Sequence, residues 1–326
     1  MFILVNNAPL ALPQAPRQGT DGKAIFWGET MQSLLYGLIA ALTWGLHDFC
    51  VRHLSQRLTS ATMLLASLLA GSLVLLGVIG ASGAWVQITA PVAAYSMASG
   101  ACYAMACFGL YKAFAIGPVR LVAPICGAYP VLSFALAALM GQPIRWDQWL
   151  ATLAVVAGIA VVARQPADDT AANPASRNTA MIWATIGAVG FALTFALGQT
   201  AVYSAGVYEA GGQGDQSLAE LPITLMSRLA AIALVAGWVI WHRLPLAPLR
   251  PHVPILVLMG LLDMTALALV LAAGGLANPE FAAVASSLFG LVTILLAWRF
   301  LREPMVMQQW GGVALVFAGI AWLAAG

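Results

Sequence analysis

The sequence predicts an all-α membrane protein in which ten transmembrane helices form two inverted repeats of five helices. Three observations support this fold class: an apolar composition, ten apolar runs long enough to span a membrane, and an internal repeat. Of the 326 residues, 61% are hydrophobic and only 8% are charged, whereas a soluble domain carries about 25% charged residues. A chain with so little charge is expected to lie in a bilayer.

The first thirty residues differ in composition from the rest of the chain. The stretch "NNAPLALPQAPRQGTDGK", at positions 6–23, is polar and contains several prolines. It lacks the charged start and the uninterrupted apolar core of a signal peptide. We expect residues 1–30 to be a disordered arm, or a stretch that precedes a true start at Met31.

Ten apolar runs follow, and each approaches the roughly 20 residues that a helix needs to cross a bilayer. The runs are continuous and do not alternate with polar residues, which favours helices over strands. The first five predicted spans are 33–51, 60–80, 91–112, 118–140 and 147–164. The second five are 179–203, 219–241, 254–276, 279–300 and 307–325.

A polar linker divides the chain into two halves that resemble each other. The linker is predicted at 165–178, between a first repeat at 31–164 and a second repeat at 179–326. A shift of 161 residues places "AGIA" at 157–160 on the same letters at 318–321, and it also superposes prolines and a Gln-Trp pair. For the first span of each half the shift is 151, which places "ALTW" at 41–44 on "ALTF" at 192–195.

Because five is an odd number, the second repeat is predicted to enter the membrane upside down relative to the first. Inverted repeats are typical of secondary transporters, in which a central site opens alternately to the two sides of the membrane. The repeat therefore predicts a secondary transporter.

Several stretches carry a family resemblance. The pattern "ALTWGLHDF" followed by "YKAFAIGPVRLVAPICGAYPVLSFALAALMGQP" in the first half resembles the EamA-type ten-span branch of the drug/metabolite transporter superfamily. The second half resembles it through "MSRLAAIALV" and "ANPEFAAVASSLFGLVTILLAWRFLREPMVMQQWGGVALVFAGIAWL". Two positions depart from the family pattern: Gln142 stands where a glutamate is usual, and Ser67 stands where a span-two arginine is common. The second half keeps Glu303 and Arg228 at the corresponding places.

The resemblance implies transport of a small metabolite by alternating access across the inner membrane. Our expectation is an amino acid or related compound, moved by export either with or without proton coupling. A drug carrier or a nucleotide-sugar type carrier of the same fold is the alternative, and a membrane-embedded enzyme or a channel are further ones. The substrate, the driving ion and the choice between monomer and homodimer are not determined by the sequence.

Asp263 and Arg228 are the most informative charged residues, because a charged side chain at mid-bilayer costs about 2.5–3.5 kcal/mol. Asp263 lies near the middle of span eight with no charge within reach on its own helix. It is predicted either to line the cavity, where it takes up a proton or contacts a cation, or to pair with Arg228. Arg228 in span seven could instead contact a substrate carboxylate or extend to the membrane surface.

Trp44, His47 and Asp48 lie at i, i+3 and i+4 and so share one helix face. The corresponding residues of the second half are Phe195, Gly198 and Gln199. We therefore predict that Trp44, His47, Asp48 and Gln199 contact substrate or a coupling ion at the interface between the repeats. The alternatives are an interfacial ion pair of Asp48 with Arg52 and a His47 that is simply hydrogen-bonded.

Tyr95, Tyr103, Tyr111 and Tyr129 are candidates for an aromatic lining. Tyr103, nearest the centre of span three, is the candidate for stacking on a substrate, with packing as the alternative. Tyr95, Tyr103 and Tyr111 follow each other at eight-residue intervals, which drift by about 80° per step, so the three are not expected to share one face.

The sequence gives no support for other classes of function. The net charge of +2 cannot neutralise many phosphates, so no nucleic-acid partner is expected. The sequence contains no HExxH, GxSxG or GxxxxGK[ST] motif, and the four cysteines form no CxxC pair. No catalytic site, metal or cofactor is therefore predicted, and the expected partners are a small-molecule substrate and lipid.

Overall fold

The structure is a computed structural model, and it describes residues 20–55, 57–84, 88–117, 122, 125–139, 144–162, 174–205, 220–276, 278–301 and 307–325. Every regular element within these ranges is a helix. The prediction of an all-α protein is confirmed for this part of the chain.

The helices are numbered α1 to α11 in chain order. Those of the first half are α1 (Thr20–Leu54), α2 (Ser60–Ser82), α3 (Ala90–Ile116), α4 (Tyr129–Leu139) and α5 (Trp146–Val162). Those of the second half are α6 (Pro174–Ser204), α7 (Glu220–Trp241), α8 (Val253–Ala272), α9 (Glu280–Ser286), α10 (Phe289–Leu301) and α11 (Met307–Ala325). Two short 3₁₀ helices, Ala247–His252 and Ala273–Gly275, flank α8.

Within the described residues, six helices are long and apolar enough to cross a membrane, namely α1, α2, α3, α6, α7 and α8. Shorter apolar helices occur at Trp146–Val161, Glu280–Thr293 and Trp310–Gly319. The chain is thus a multi-pass membrane protein. The predicted total of ten spans and their inverted arrangement remain predictions.

Two helices begin earlier than the sequence predicted. Helix α1 begins at Thr20, inside the predicted arm 1–30, and residues 20–30 contain no proline that would stop a helix. Helix α6 begins at Pro174, inside the predicted linker 165–178. Proline is favourable at the first helical position, because its missing N–H would have no partner there. Residues 1–19 and 163–173 lie outside the described residues.

The two halves pack against each other through corresponding helices. Helices α1 and α2 pack on α8, and their counterparts α6 and α7 pack on α3. Helix α1 also contacts α9 and α10, while its counterpart α6 contacts α4. The last helices of the two halves, α5 and α11, pack on each other. Exchanging the halves therefore reproduces these main helix contacts.

Glycines permit the closest of these contacts. A Cβ atom at Gly100 of α3 would overlap the carbonyl oxygen of Ser227 in α7. A Cβ atom at Gly260 of α8 would likewise overlap the carbonyl oxygen of Ser67 in α2. These two contacts lie within one residue of equivalent positions when the halves are exchanged, so each half presents a glycine to the second helix of the other.

The repeated "AGIA" stretches bring α5 and α11 together in the same way. A Cβ atom at Gly158 would lie 2.7 Å from the carbonyl oxygen of Gly312, and one at Gly319 would lie 2.9 Å from that of Ala151. These glycines therefore mediate a contact between the two halves of one chain.

Candidate functional site

A buried ion pair joins α7 to α8. The Nη1 atom of Arg228 donates to Oδ2 of Asp263 at 2.7 Å, and the two residues are 0% and 3% exposed. The Nε atom of Arg228 also donates to Oγ of Ser72 at 3.2 Å, and Nη2 donates to the carbonyl oxygen of Leu68 at 3.3 Å. Of the alternatives that the sequence left open for Arg228, the structure contains the pairing with Asp263. The guanidinium is buried and does not extend to the surface.

Asp263 also accepts hydrogen bonds from the first half of the chain. Its Oδ1 atom accepts from Nε1 of Trp44 at 3.2 Å and from the hydroxyl of Tyr103. The carboxylate thus connects α1, α3, α7 and α8, and three side chains donate to it. Although its own helix offers no charged partner, Asp263 is balanced by a cation from α7.

A second polar cluster follows one turn further along α1. Nδ1 of His47 lies 3.1 Å from Oδ1 of Asp48, and Nε2 of His47 lies 2.9 Å from the hydroxyl of Tyr111. A proton on Nδ1 allows the ring to donate to Asp48, and the hydroxyl of Tyr111 can serve Nε2 as a donor or as an acceptor; the proton on Nδ1 is assigned from its carboxylate partner. The side chain of Arg52, the alternative partner of Asp48, lies outside the described residues.

Asp48 has one hydrogen-bonded oxygen and one without a partner. The residue is only 3% exposed, and its Oδ2 atom has no hydrogen-bond partner among the described residues. A buried carboxylate oxygen in this state is costly. Asp48 therefore differs from Asp263, whose two oxygens are both engaged.

Both clusters face one cavity at the junction of the two halves. It is lined by side chains of α1, α3, α4, α6, α8 and α10: Trp44, His47, Asp48, Tyr103, Cys107, Leu110, Tyr111, Tyr129, Phe191, Phe195, Asp263 and Phe289. The space open to the centre of a water molecule is about 20 Å³, enough for about one water. None of these described lining residues is a lysine or an arginine.

Aromatic rings form most of the cavity wall. Phe191 and Phe195 lie at i and i+4 on α6 and so share one face. Phe195 stacks on Trp44 with ring centres 5.7 Å apart and meets Tyr129 edge-on at 5.2 Å. Tyr103 contacts Phe191 edge-on at 6.2 Å. The rings of α1, α3 and α4 therefore close around the two phenylalanines of the second half.

Two breaks in helical structure lie beside the cavity. Residues 127–128 form a turn just before α4, and residues 287–288 form a turn between α9 and α10. These are nearly equivalent positions of the predicted repeats. The hydroxyl groups of Tyr129 and Ser286, one beside each break, are 2.7 Å apart and hydrogen-bonded. Interrupted helices at corresponding positions of two repeats are a pointer to a substrate site.

The two breaks have different local causes. In the first half, Pro130 lacks an N–H, and its ring conflicts with the carbonyl group four residues earlier, which prevents a continuous helix. In the second half, the hydroxyls of Ser286 and Ser287 donate to the carbonyl oxygens of Ala283 and Val284. Such local hydrogen bonds compete with the helical ladder.

Most of the residues predicted from the sequence meet at this cavity. Five of the seven line it: Trp44, His47, Asp48, Tyr103 and Asp263. Arg228 lies directly behind Asp263. Gln199 does not line the cavity, because its Nε2 atom donates to the carbonyl oxygens of Val270 at 3.0 Å and Pro279 at 3.1 Å.

Sequence reasoning missed Cys107 and Leu110 of α3. Tyr103, Cys107 and Tyr111 lie at i, i+4 and i+8, and all three line the cavity, as does Tyr129, whereas Tyr95 does not. The drift of about 80° between Tyr103 and Tyr111 is still narrower than one helix face of about 100°. The spacing of four residues through Cys107 is the signal that could have identified this stripe.

Comparison with known proteins supports the resemblance described above. Residues 31–164 match the model of the EamA-like transporter family, so the resemblance to the drug/metabolite transporter superfamily is confirmed over the first half. This family indicates a membrane transporter of small molecules. No curated protein matches the sequence.

A solved structure, described only as "Crystal structure of protein", has a similar fold. It is 17% identical in sequence, with a TM-score of 0.65, and the match covers 89% of this chain and 94% of that chain. At this identity the similarity concerns the fold alone. The shared fold covers most of both halves of this chain.

Proposed function

Because residues 31–164 match the EamA-like transporter family, we propose that the protein is a secondary transporter that moves a small metabolite across the inner membrane by alternating access. Ten spans form two inverted repeats, 31–164 and 179–326, joined by the linker 165–178. The cavity carries this proposal, since its wall comes from both halves and holds two carboxylates among apolar helices.

The packing between the halves supports the inverted repeat. The same helix contacts recur when the halves are exchanged, and the two helix breaks occupy nearly equivalent positions. An exchange of conformation between two equivalent halves would open the cavity to one side and then to the other.

The small volume of the cavity supports a site that changes shape. Ligand sites for small molecules commonly enclose about 300–1,000 Å³, whereas this cavity has room for about one water. A metabolite would enter only after helices of one half move away from helices of the other. The described arrangement therefore corresponds to a closed state of the transport cycle.

The two carboxylates have different roles in the proposal. Asp263 is balanced by Arg228, so we assign it to holding α1, α3, α7 and α8 together. Asp48 keeps an unpartnered oxygen at the cavity, and this oxygen is available to a proton or to a cationic group of the substrate. The proposed cargo is an amino acid or related amine, exported with proton coupling through Asp48.

Alternating access can be tested at Cys107, which lines the cavity and is 4% exposed. In a variant with Cys50, Cys102 and Cys126 replaced by serine, a membrane-impermeant thiol reagent is expected to label Cys107 from either side of sealed membranes. The physical reason is that the cavity opens to each compartment in turn. Labelling is measured by the mass of the purified protein, and the additional change Cys107→Ser serves as the control.

The labelling experiment separates the proposal from its alternatives without knowledge of the substrate. Labelling from one side only would indicate a fixed pocket, as in a receptor or an enzyme. Labelling from both sides in membranes that also leak small ions would indicate a channel. Either result would contradict the proposed transporter.

A further inference from the structure

The charges around the cavity restrict the class of substrate that it can bind. Resting on the proposed function, we infer that the substrate is an organic cation: an amine or quaternary ammonium compound with an apolar or aromatic body and no carboxylate. Three features of the described cavity carry this inference, namely an uncompensated carboxylate, a wall of aromatic rings and the lack of an available cation.

The uncompensated carboxylate is that of Asp48. Asp263 pairs with Arg228 at 2.7 Å, and both of its oxygens accept hydrogen bonds. His47 contacts Asp48 through Oδ1 alone, and the Oδ2 atom of Asp48 is buried at the cavity without a partner among the described residues. A buried charge requires a partner of opposite sign, and a cationic ligand would supply it.

The aromatic wall suits the same ligand. A cation within about 6 Å of an aromatic ring face is attracted electrostatically, and the attraction is strongest when water is excluded. Seven lining residues carry such rings: Trp44, Tyr103, Tyr111, Tyr129, Phe191, Phe195 and Phe289. These rings would also bury the apolar body of the ligand.

The cavity offers no receptor for a substrate carboxylate. Arg228 does not line it, and its guanidinium already donates to Asp263, Ser72 and Leu68. The described lining residues include no other arginine or lysine. A zwitterionic amino acid would therefore place its carboxylate among rings and beside two acids, where like charges repel. The cavity favours simple amines over amino acids.

Three probes that share a phenyl ring test this inference. Benzyltrimethylammonium is a permanent cation, L-phenylalanine is a zwitterion and phenylacetate is an anion. Binding to the full-length protein in lipid nanodiscs is measured by calorimetry at neutral pH. The cation is expected to bind at least about tenfold more tightly than either of the other two, because only the cation complements Asp48.

Two variants test whether the carboxylate of Asp48 causes the preference for the cationic probe. Asp48→Asn is expected to remove it, whereas Asp147→Asn is expected to retain it, since Asp147 pairs with the exposed Arg145 outside the cavity. The ranking of the three probes by their affinity for the unmodified protein already tests the inference. The inference therefore does not depend on whether Asp48→Asn folds.

The outcomes distinguish this inference from the proposed function. Equal or tighter binding of L-phenylalanine or phenylacetate, or binding of none of the three probes, would overturn the organic-cation assignment. A preference that survives in Asp48→Asn would overturn the role of that carboxylate. None of these results affects the labelling of Cys107 from both sides, on which alternating access depends.

Discussion

Asp263→Asn and Arg228→Met, made separately, are each expected to lower the free energy of unfolding by about 3–5 kcal/mol, because each leaves an unpaired charge in the membrane interior. Asparagine keeps an oxygen that can accept from Trp44 and Tyr103, so Asp263→Asn removes the charge while retaining these hydrogen bonds. Methionine retains much of the length of arginine. The measurement is reversible denaturant unfolding of the purified protein in lipid–detergent micelles.

The double variant Arg228→Met/Asp263→Asn is expected to recover most of the lost stability, since neither side chain then carries a charge. The matched control is Asp147→Asn, which breaks an exposed ion pair with Arg145. Exposed pairs contribute little to stability, so no measurable change is expected there. A double variant less stable than both single variants would show that Asp263 and Arg228 stabilise the protein by something other than their mutual charge.

The Asp263–Arg228 pair also shows which features can be predicted from the sequence alone. The apolar runs predict helices because a long stretch without charge can satisfy its backbone only as a helix in lipid. The sequence also shows that Asp263 needs a partner, and it offers Arg228 as one of several possibilities. The choice among them depends on how closely α7 and α8 approach, which no pattern within either helix determines.

Gln199 shows a different limit of sequence reasoning. The internal repeat aligns it with Asp48, and equivalent positions were expected to share a function. In the structure its amide donates to the carbonyl oxygens of Val270 and Pro279, near the irregular stretch that follows α8. Carbonyl groups left free by such a stretch attract a nearby amide donor, and no periodicity predicts where they will be.

The shared face of α1 follows from the sequence, although contact of its residues with a substrate stays a prediction. Trp44, His47 and Asp48 share a face by helical geometry alone, and all three line the cavity. Phe191 and Phe289, which belong to the same wall, come from other helices and carry no distinguishing signal among the many buried aromatic residues. One helix face follows from sequence spacing, whereas the residues opposite it depend on tertiary packing.

Gly260→Val is expected to be the most damaging substitution at the contact between α2 and α8. A Cβ atom at this position would overlap the carbonyl oxygen of Ser67 and lie 2.6 Å from the backbone nitrogen of Gly71. Since both of these atoms belong to the backbone, no side-chain rotation can relieve the overlap. The expected loss exceeds about 3 kcal/mol, beyond the usual cost of overpacking, and the yield of monodisperse protein in size-exclusion chromatography should collapse.

Gly77→Val is the matched control, because a Cβ atom there would meet no heavy atom within 4 Å. It introduces the same side chain into one of the two helices, with a small gain in helix propensity, and the yield should be retained. The same contact between α2 and α8 encloses the buried ion pair, because a Cβ atom at Gly71 of α2 would lie 2.6 Å from Nη2 of Arg228. Equal yields for Gly260→Val and Gly77→Val would mean that α2 and α8 are further apart than described. The guanidinium would then have room for water, and Asp263 would no longer be its obligatory partner.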